Sequence, residues 1–283
     1  MAIAKRNPRV LIAGGGIGGL AAALALLKRG FDVDVYEQAS ELREVGAGVQ
    51  LSANAIRVFH ELGVHEALRA LACEASGKEV RLWNSGQTWK LFDLGAVSVE
   101  RYGFPYYTAY RPDLLAVLAD GVHSRIRQAL FGPDQAQFTG LVAWRGTIPM
   151  DRLPGHVRRL VGRAPMERWS AGRVSLLGDA CHPTLPFLAQ GAAMALEDGY
   201  ILARALQAAG PDIEQGLARY EGARRERTAK VVHGSAEMAR RFHNPALAES
   251  AGAQDYVSRE WSEERVKSRY EWLFNHDVTA VAV

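Results

Sequence analysis

Three glycines spaced Gly14-x-Gly16-x-x-Gly19, a carboxylate at Glu37 and the pair Gly178-Asp179 are the residues of this 283-residue chain whose types and spacing could do chemistry. The chemistry they suggest is dinucleotide binding. Gly14 permits a tight turn, Gly16 lets a pyrophosphate approach the backbone, and Gly19 lets a helix lie close to a strand, with the helix N-terminus facing the phosphates. Glu37 follows Gly19 by 18 residues, where a strand-helix-strand unit places the carboxylate that accepts hydrogen bonds from an adenosine ribose. An acid there repels a 2′-phosphate, so FAD or NAD is expected rather than NADP. Asp179 is expected at the C-terminal end of a short buried strand, Val174 to Leu177, positioned to meet the ribityl chain of a flavin. Backbone N–H groups opening a helix near Gln190, Gly191 and Ala192 would stabilise negative charge on the flavin pyrimidine ring.

These residues need elements to hold them. Arg9 to Ala13 reads as an apolar strand, the Ala/Leu run after Gly19 as a helix ended by Gly30, and Phe31 to Tyr36 as a second strand. Ser52 or Asn54 is expected to cap a helix with Ile56, Phe59 and Leu62 on one face and Gly63 at its end. From about Leu71 to Tyr110 short strand-like pieces carry aromatic residues, which read as core packing rather than a substrate cage. Arg111 to Leu118 opens as a helix but runs directly into Ala119-Asp120-Gly121, so Leu114 to Leu118 would have to serve as both helix and strand. Phe138 to Ile148 reads as strand. The remainder is helical, and its last helix, with Trp261, Tyr270, Trp272, Leu273 and Phe274, either folds back or makes a dimer contact.

Composition narrows the class. With 48% hydrophobic and 23% charged residues and a net charge of +3, the chain is that of a soluble globular protein of one or two domains. It lacks a bilayer-spanning apolar run, and Met1 to Pro8 is too short and polar for a signal peptide, so a cytoplasmic location is expected. Cys73 and Cys181 make neither a disulfide framework nor a metal-ligand cluster, and no metal is expected. The basic run Arg224 to Lys230 reads as a solvated helix face rather than a nucleic-acid patch.

The ordered set, namely Gly14-x-Gly16-x-x-Gly19 with Glu37, Asp120-Gly121 with its downstream arginines, and Gly178-Asp179 followed by His182-Pro183 and Gln190-Gly191, resembles the single-component FAD-dependent aromatic hydroxylases. Within them the chain is most similar to the salicylate, 3-hydroxybenzoate and 6-hydroxynicotinate monooxygenases. The resemblance covers nearly the whole chain, including Gly46-Ala-Gly48 and Tyr270 to Phe274. It implies an α/β fold: a Rossmann-like FAD-binding domain from residues 1–70, 111–135 and 165–232, a sheet-based substrate domain from 71–110 and 136–164, and a helical region over 233–283. Gly14, Gly16, Gly19 and Glu37 would hold the ADP part of FAD, Val49 would lie near the flavin, and Arg111 would reach toward it. Asp120, with Gly121, would serve FAD and nicotinamide binding. Gly178 and Asp179 would hold the ribitol, and His182 would shape the loop as a binding residue. Gln50 and Pro186 would line the active site.

The implied reaction is NADH reduction of FAD, O2 addition to give a flavin C4a-hydroperoxide, and transfer of one oxygen to a small aromatic hydroxy acid of the salicylate or 3-hydroxybenzoate type. The chain departs from the family near 118/119 and 157/158, where relatives carry further strands and much of the substrate sheet, so segments are expected to be missing there. If those omissions are genuine, an FAD-binding remnant or an NADH oxidase without hydroxylation is the alternative, as is a related monooxygenase acting on a larger ring.

Overall fold

The computed structural model describes residues 8–38, 48–82, 85–121 and 164–283. β1 (Arg9–Ala13) leads through the glycine turn into α1 (Ile17–Leu27) and returns as β2 (Asp32–Tyr36), parallel to β1 with Ala13 opposite Tyr36. The turn closes on itself because Gly14, at φ +110°, donates its N–H to the Tyr36 carbonyl at 2.7 Å. A Cβ on Gly19 would stand 2.0 Å from the Gly14 carbonyl oxygen, so only glycine lets α1 start this close to the strand.

β3 (Gly48–Leu51) precedes α2 (Ala53–Glu61) and α3 (His65–Leu71). β4 (Cys73–Glu74) follows, then a hairpin of β5 (Gly77–Arg81) and β6 (Thr88–Asp93), then α4 (Gly95–Tyr102) and β7 (Tyr107–Tyr110). β7 is the centre of an antiparallel sheet with β3 and β4 at its edges, and β5 pairs antiparallel with β6. The alternation expected between Leu71 and Tyr110 therefore forms strands.

α5 (Arg111–Gly121) resolves the conflict between helix and strand in favour of helix. Leu114, Leu115, Leu118 and Ala119 are all fully buried in the main core. Leu118 and Ala119 are consecutive residues of that helix, and the strand that should lead into Asp120-Gly121 is not formed from Leu114 to Leu118. The physical reason is length: nothing lies between Leu118 and Ala119 to end the helix and start a strand. The other expected omission, 157/158, and the strand at 138–148 lie outside the described residues.

β8 (Ser170–Ala171) and β9 (Val174–Ser175) form a small antiparallel hairpin in place of the longer strand expected before Gly178. α6 (Gly191–Ala209) then crosses α1 so closely that a Cβ on Gly199 would lie 2.5 Å from the Ala22 nitrogen. α7 (Ile213–Phe242), capped by the Asp212 carboxylate on the Gln215 N–H, packs against α6, and α8 (Ser250–Glu260) and α9 (Glu263–Phe274) follow. These last helices fold back within the chain. Trp261, Tyr270, Leu273 and Phe274 share a second core with Trp89, Leu91 and Tyr106 of the sheet region. Among the described residues no helix is long and apolar enough to cross a membrane.

Candidate active site

Most of the residues singled out in the sequence meet around one cavity of about 1020 Å³. Gly14, Gly16, Gly19, Val49, Gln50, Arg111, Gly178, Asp179, Pro186, Gly191 and Ala192 all line it. Glu37 stands behind the turn, where its Oε2 accepts the Gly15 N–H at 2.7 Å. A Cβ built on Gly14 or Gly16 would meet nothing within 4 Å, so the backbone of the turn is bare toward the cavity. That cradle fits the pyrophosphate of a dinucleotide.

Asp120, near the end of α5, is not among the residues that line the cavity. His182 and Gln190 are both 1% exposed and point their side chains into the protein. Gln190 donates to Ser52 Oγ at 2.8 Å and accepts from Asn54 Nδ2 at 3.0 Å, while Ser52 donates to Asn54 Oδ1. Neither Ser52 nor Asn54 caps α2 by its side chain; they are spent on this ring.

The ring is one end of a buried polar network. Asn54 Nδ2 also donates to Glu197 Oε1 at 2.7 Å, and Glu197 is gripped by Arg224 and, through two nitrogens, by Arg227. Arg224 Nε reaches Asp198 Oδ1 at 2.7 Å, and Asp198 Oδ2 accepts the Gly178 N–H and lies 2.6 Å from His182 Nε2. Burial pushes both carboxyls up, but the arginine charges outweigh it and hold Glu197 and Asp198 below the usual carboxylate range; His182 adds to the effect on Asp198. The same geometry corrects the reading of Arg224 to Lys230 as a solvated face: Arg224 is fully buried and Arg227 nearly so. The signal in the sequence was the adjacent pair Glu197-Asp198 inside an apolar helix, since buried acids require paired cations. Cys181, His182 and Asp198 lie close together, yet both Asp198 oxygens already have partners and burial pushes the Cys181 thiol up.

A further contact could not be read from spacing. Tyr106 Oη donates to Gln50 Oε1 at 2.8 Å, so the Gln50 amide is oriented and its N–H donors are what it offers at the cavity wall.

The network also sets an acid limit. Burial, outweighing the attraction of Glu197, pulls His276 down to about 4. Free histidine titrates near 6.5, so the unfolded chain binds more protons between those values and stability falls as pH drops through them. Glu197 and Asp198 contribute stability that is present above about pH 4 and lost below it. Urea unfolding should show a loss on the order of 2 kcal/mol between about pH 7 and about pH 4.5, and His276→Leu should flatten that window. A flat wild-type profile would contradict the assignment.

Comparison with known proteins agrees with this geometry. A family described as "FAD binding domain" matches residues 160–235, and one described as "NAD(P)-binding Rossmann-like domain" matches residues 12–75. A 3-amino-4-hydroxybenzoate 2-monooxygenase of Streptomyces platensis is 30% identical over 359 aligned positions, covering 86% of this chain and 90% of the relative. The chain belongs to the single-component FAD-dependent aromatic hydroxylases. A 3-hydroxybenzoate 6-hydroxylase of Polaromonas naphthalenivorans (strain CJ2) is another relative of this hydroxylase, 29% identical over 387 positions, covering 95% of the chain and 96% of the relative. Both alignments are longer than the 283 residues of the chain, so this hydroxylase is shorter than its relatives through internal gaps. The crystal structure of Klebsiella pneumoniae HpxO complexed with FAD and uric acid shares the fold, with a TM-score of 0.67 and 19% identity over 92% of this chain and 95% of the other. The Rossmann-like FAD-binding fold and FAD as cofactor therefore stand.

Proposed function

We propose that this hydroxylase uses NADH and O2 to add one oxygen to a small aromatic hydroxy acid of the salicylate or 3-hydroxybenzoate type. The observation that supports this best is the single cavity joining the bare glycine turn and Asp179 to Gln50 and Pro186. FAD, when bound, supplies the redox and oxygen chemistry. The chain's own residues do the rest. Glu37 accepts the ribose hydroxyls, the turn at Gly14 to Gly16 faces the pyrophosphate, and Asp179 holds the ribityl hydroxyls. The N–H groups of Gly191 and Ala192, opening α6, favour negative charge beside them. Gln50, oriented by Tyr106, donates to an oxygen of the substrate.

One observation favours a second reading, an NADH oxidase that retains FAD without hydroxylating: the internal gaps relative to longer relatives. The two separate in one experiment. FAD-reconstituted protein is given NADH, O2 and a panel of hydroxybenzoates, and products are analysed by mass spectrometry. The hydroxylase reading expects substrate-stimulated NADH oxidation and an acid heavier by one oxygen atom. NADH consumption matched only by hydrogen peroxide, with every acid returned unchanged, would establish the oxidase instead.

A further inference from the structure

Three buried side chains close a ring in which each donates to the next. The Gln190 amide donates to Ser52 Oγ at 2.8 Å, the Ser52 hydroxyl to Asn54 Oδ1 at 2.6 Å, and the Asn54 amide to Gln190 Oε1 at 3.0 Å. The direction of the ring is set from outside it. The second N–H of Asn54 goes to Glu197 Oε1 at 2.7 Å, an acceptor with no proton to give while Arg224 and Arg227 hold it ionised. Asn54 must therefore turn its oxygen to Ser52, which leaves the Ser52 oxygen to accept from Gln190.

None of the three side chains caps a helix or lines the cavity, yet the ring adjoins two walls that do line it. Ser52 follows Gln50 of β3 by two residues, and Gln190 stands between Ala189 and Gly191; Gln50, Ala189 and Gly191 all face the cavity. The ring ties these walls together across 136 positions of chain.

The second wall needs such a tie. Ala189 adopts φ +55° and ψ +40°, and among the described residues it alone has a positive φ without being glycine. A side chain resists that left-handed conformation, which persists only where its surroundings hold it. One hold is the ring at Gln190. The other is Ser235 of α7, which donates to the Leu185 carbonyl just before the short turn Pro186–Leu188.

We propose that Gln190 is a positioning residue: through Ser52 and Asn54 it fixes the wall of Pro186, Ala189 and Gly191 against the wall of Val49 and Gln50, and so sets the space that receives the flavin ring of FAD. This rests on the placement of Gly191 and Ala192 beside FAD proposed above, and not on hydroxylation, so its test needs no turnover.

FAD affinity and the midpoint potential of the bound flavin are measured without substrate, beside urea unfolding of the cofactor-free protein, in wild type, Gln190→Ala and the gentler Ser52→Ala. Gln190→Ala should weaken FAD at least about tenfold. Because the Gly191 and Ala192 N–H groups lose their set position, the reduced cofactor should be weakened about tenfold more than the oxidised one, a fall of about 30 mV in the two-electron potential. Ser52→Ala keeps the hydrogen bond from Asn54 to Gln190 and should show the same changes at smaller size. A ring that serves the fold alone would lower stability in urea and leave the potential of the folded, loaded protein at the wild-type value. That result would overturn the proposal, as would wild-type FAD affinity in Gln190→Ala. Should Gln190→Ala fail to fold, Ser52→Ala decides by the same readings: a lowered potential sustains the proposal and an unchanged one overturns it. A lowered potential in these variants, with no acid hydroxylated by the wild type, would sustain the inference and sink the hydroxylase reading. Hydroxylated product from the wild type with unaltered potentials in both variants would do the reverse.

Discussion

Arg224→Ala should lower the unfolding free energy in urea by about 3–5 kcal/mol, the cost of leaving a buried carboxylate without its cation. Arg224 is fully buried between two fully buried acids, with Nε on Asp198 at 2.7 Å and Nη1 at 2.8 Å from Glu197. Glu197 keeps Arg227 and Asn54 when Arg224 is gone, but Asp198 keeps only the Gly178 N–H and His182. The loss therefore falls on the turn that carries Asp179, and FAD affinity should weaken with it. Arg224→Lys should recover little, because one ammonium cannot span both carboxylates as the guanidinium does. Arg227→Ala should cost less, since Glu197 retains Arg224. An Arg224→Ala protein as stable as wild type would show that the ion cluster does not hold the fold.

Gly16→Val and Gly19→Ala should separate binding from folding at the glycine turn. Gly16 has extended backbone, φ −74° and ψ −179°, which a β-branched residue adopts without strain, and its Cβ would enter open space. The Gly16→Val protein should therefore melt as wild type does without cofactor, while its branched side chain fills the approach to the backbone and weakens FAD by at least about tenfold. Gly19→Ala is different in kind. Its Cβ would stand 2.0 Å from the Gly14 carbonyl oxygen, so α1 must move off the strand. Overpacking of that sort costs about 1–3 kcal/mol or more, and both stability and FAD affinity should fall. Thermal unfolding with and without FAD distinguishes the two variants, and identical behaviour would contradict the assigned roles.

The places where sequence reasoning succeeded and failed sort by the range of the interaction. The expected strand, turn, helix and second strand appear as β1, α1 and β2, and the Glu37 carboxylate meets the turn at Gly15. Strands also form where aromatic alternation pointed to them, at Gly77–Arg81 and Thr88–Asp93. These features depend on glycine geometry and on a two-residue period within a few positions of chain. The choice between helix and strand over Leu114 to Leu118 did not, because the apolar residues there satisfy a helical face as readily as a strand, and burial against the main core decided for helix.

By itself, then, the order and type of residues determined the dinucleotide cradle and the strand-forming stretches, since each is specified by local backbone freedom and side-chain alternation. Only the tertiary structure decided which polar groups face a ligand and which hold the protein together. His182 and Gln190 turn inward because Asp198 and Asn54, 16 and 136 positions away in the chain, lie behind them. Arg224 is buried because α6 presents Glu197 and Asp198 to its face of α7. Lys78 sits among rings because α7 and α9 bring Phe242 and Tyr270 to the hairpin that carries it. A charge on a helix or strand is solvated or desolvated according to what packs over it, and that neighbour is chosen by the fold rather than by nearby residues.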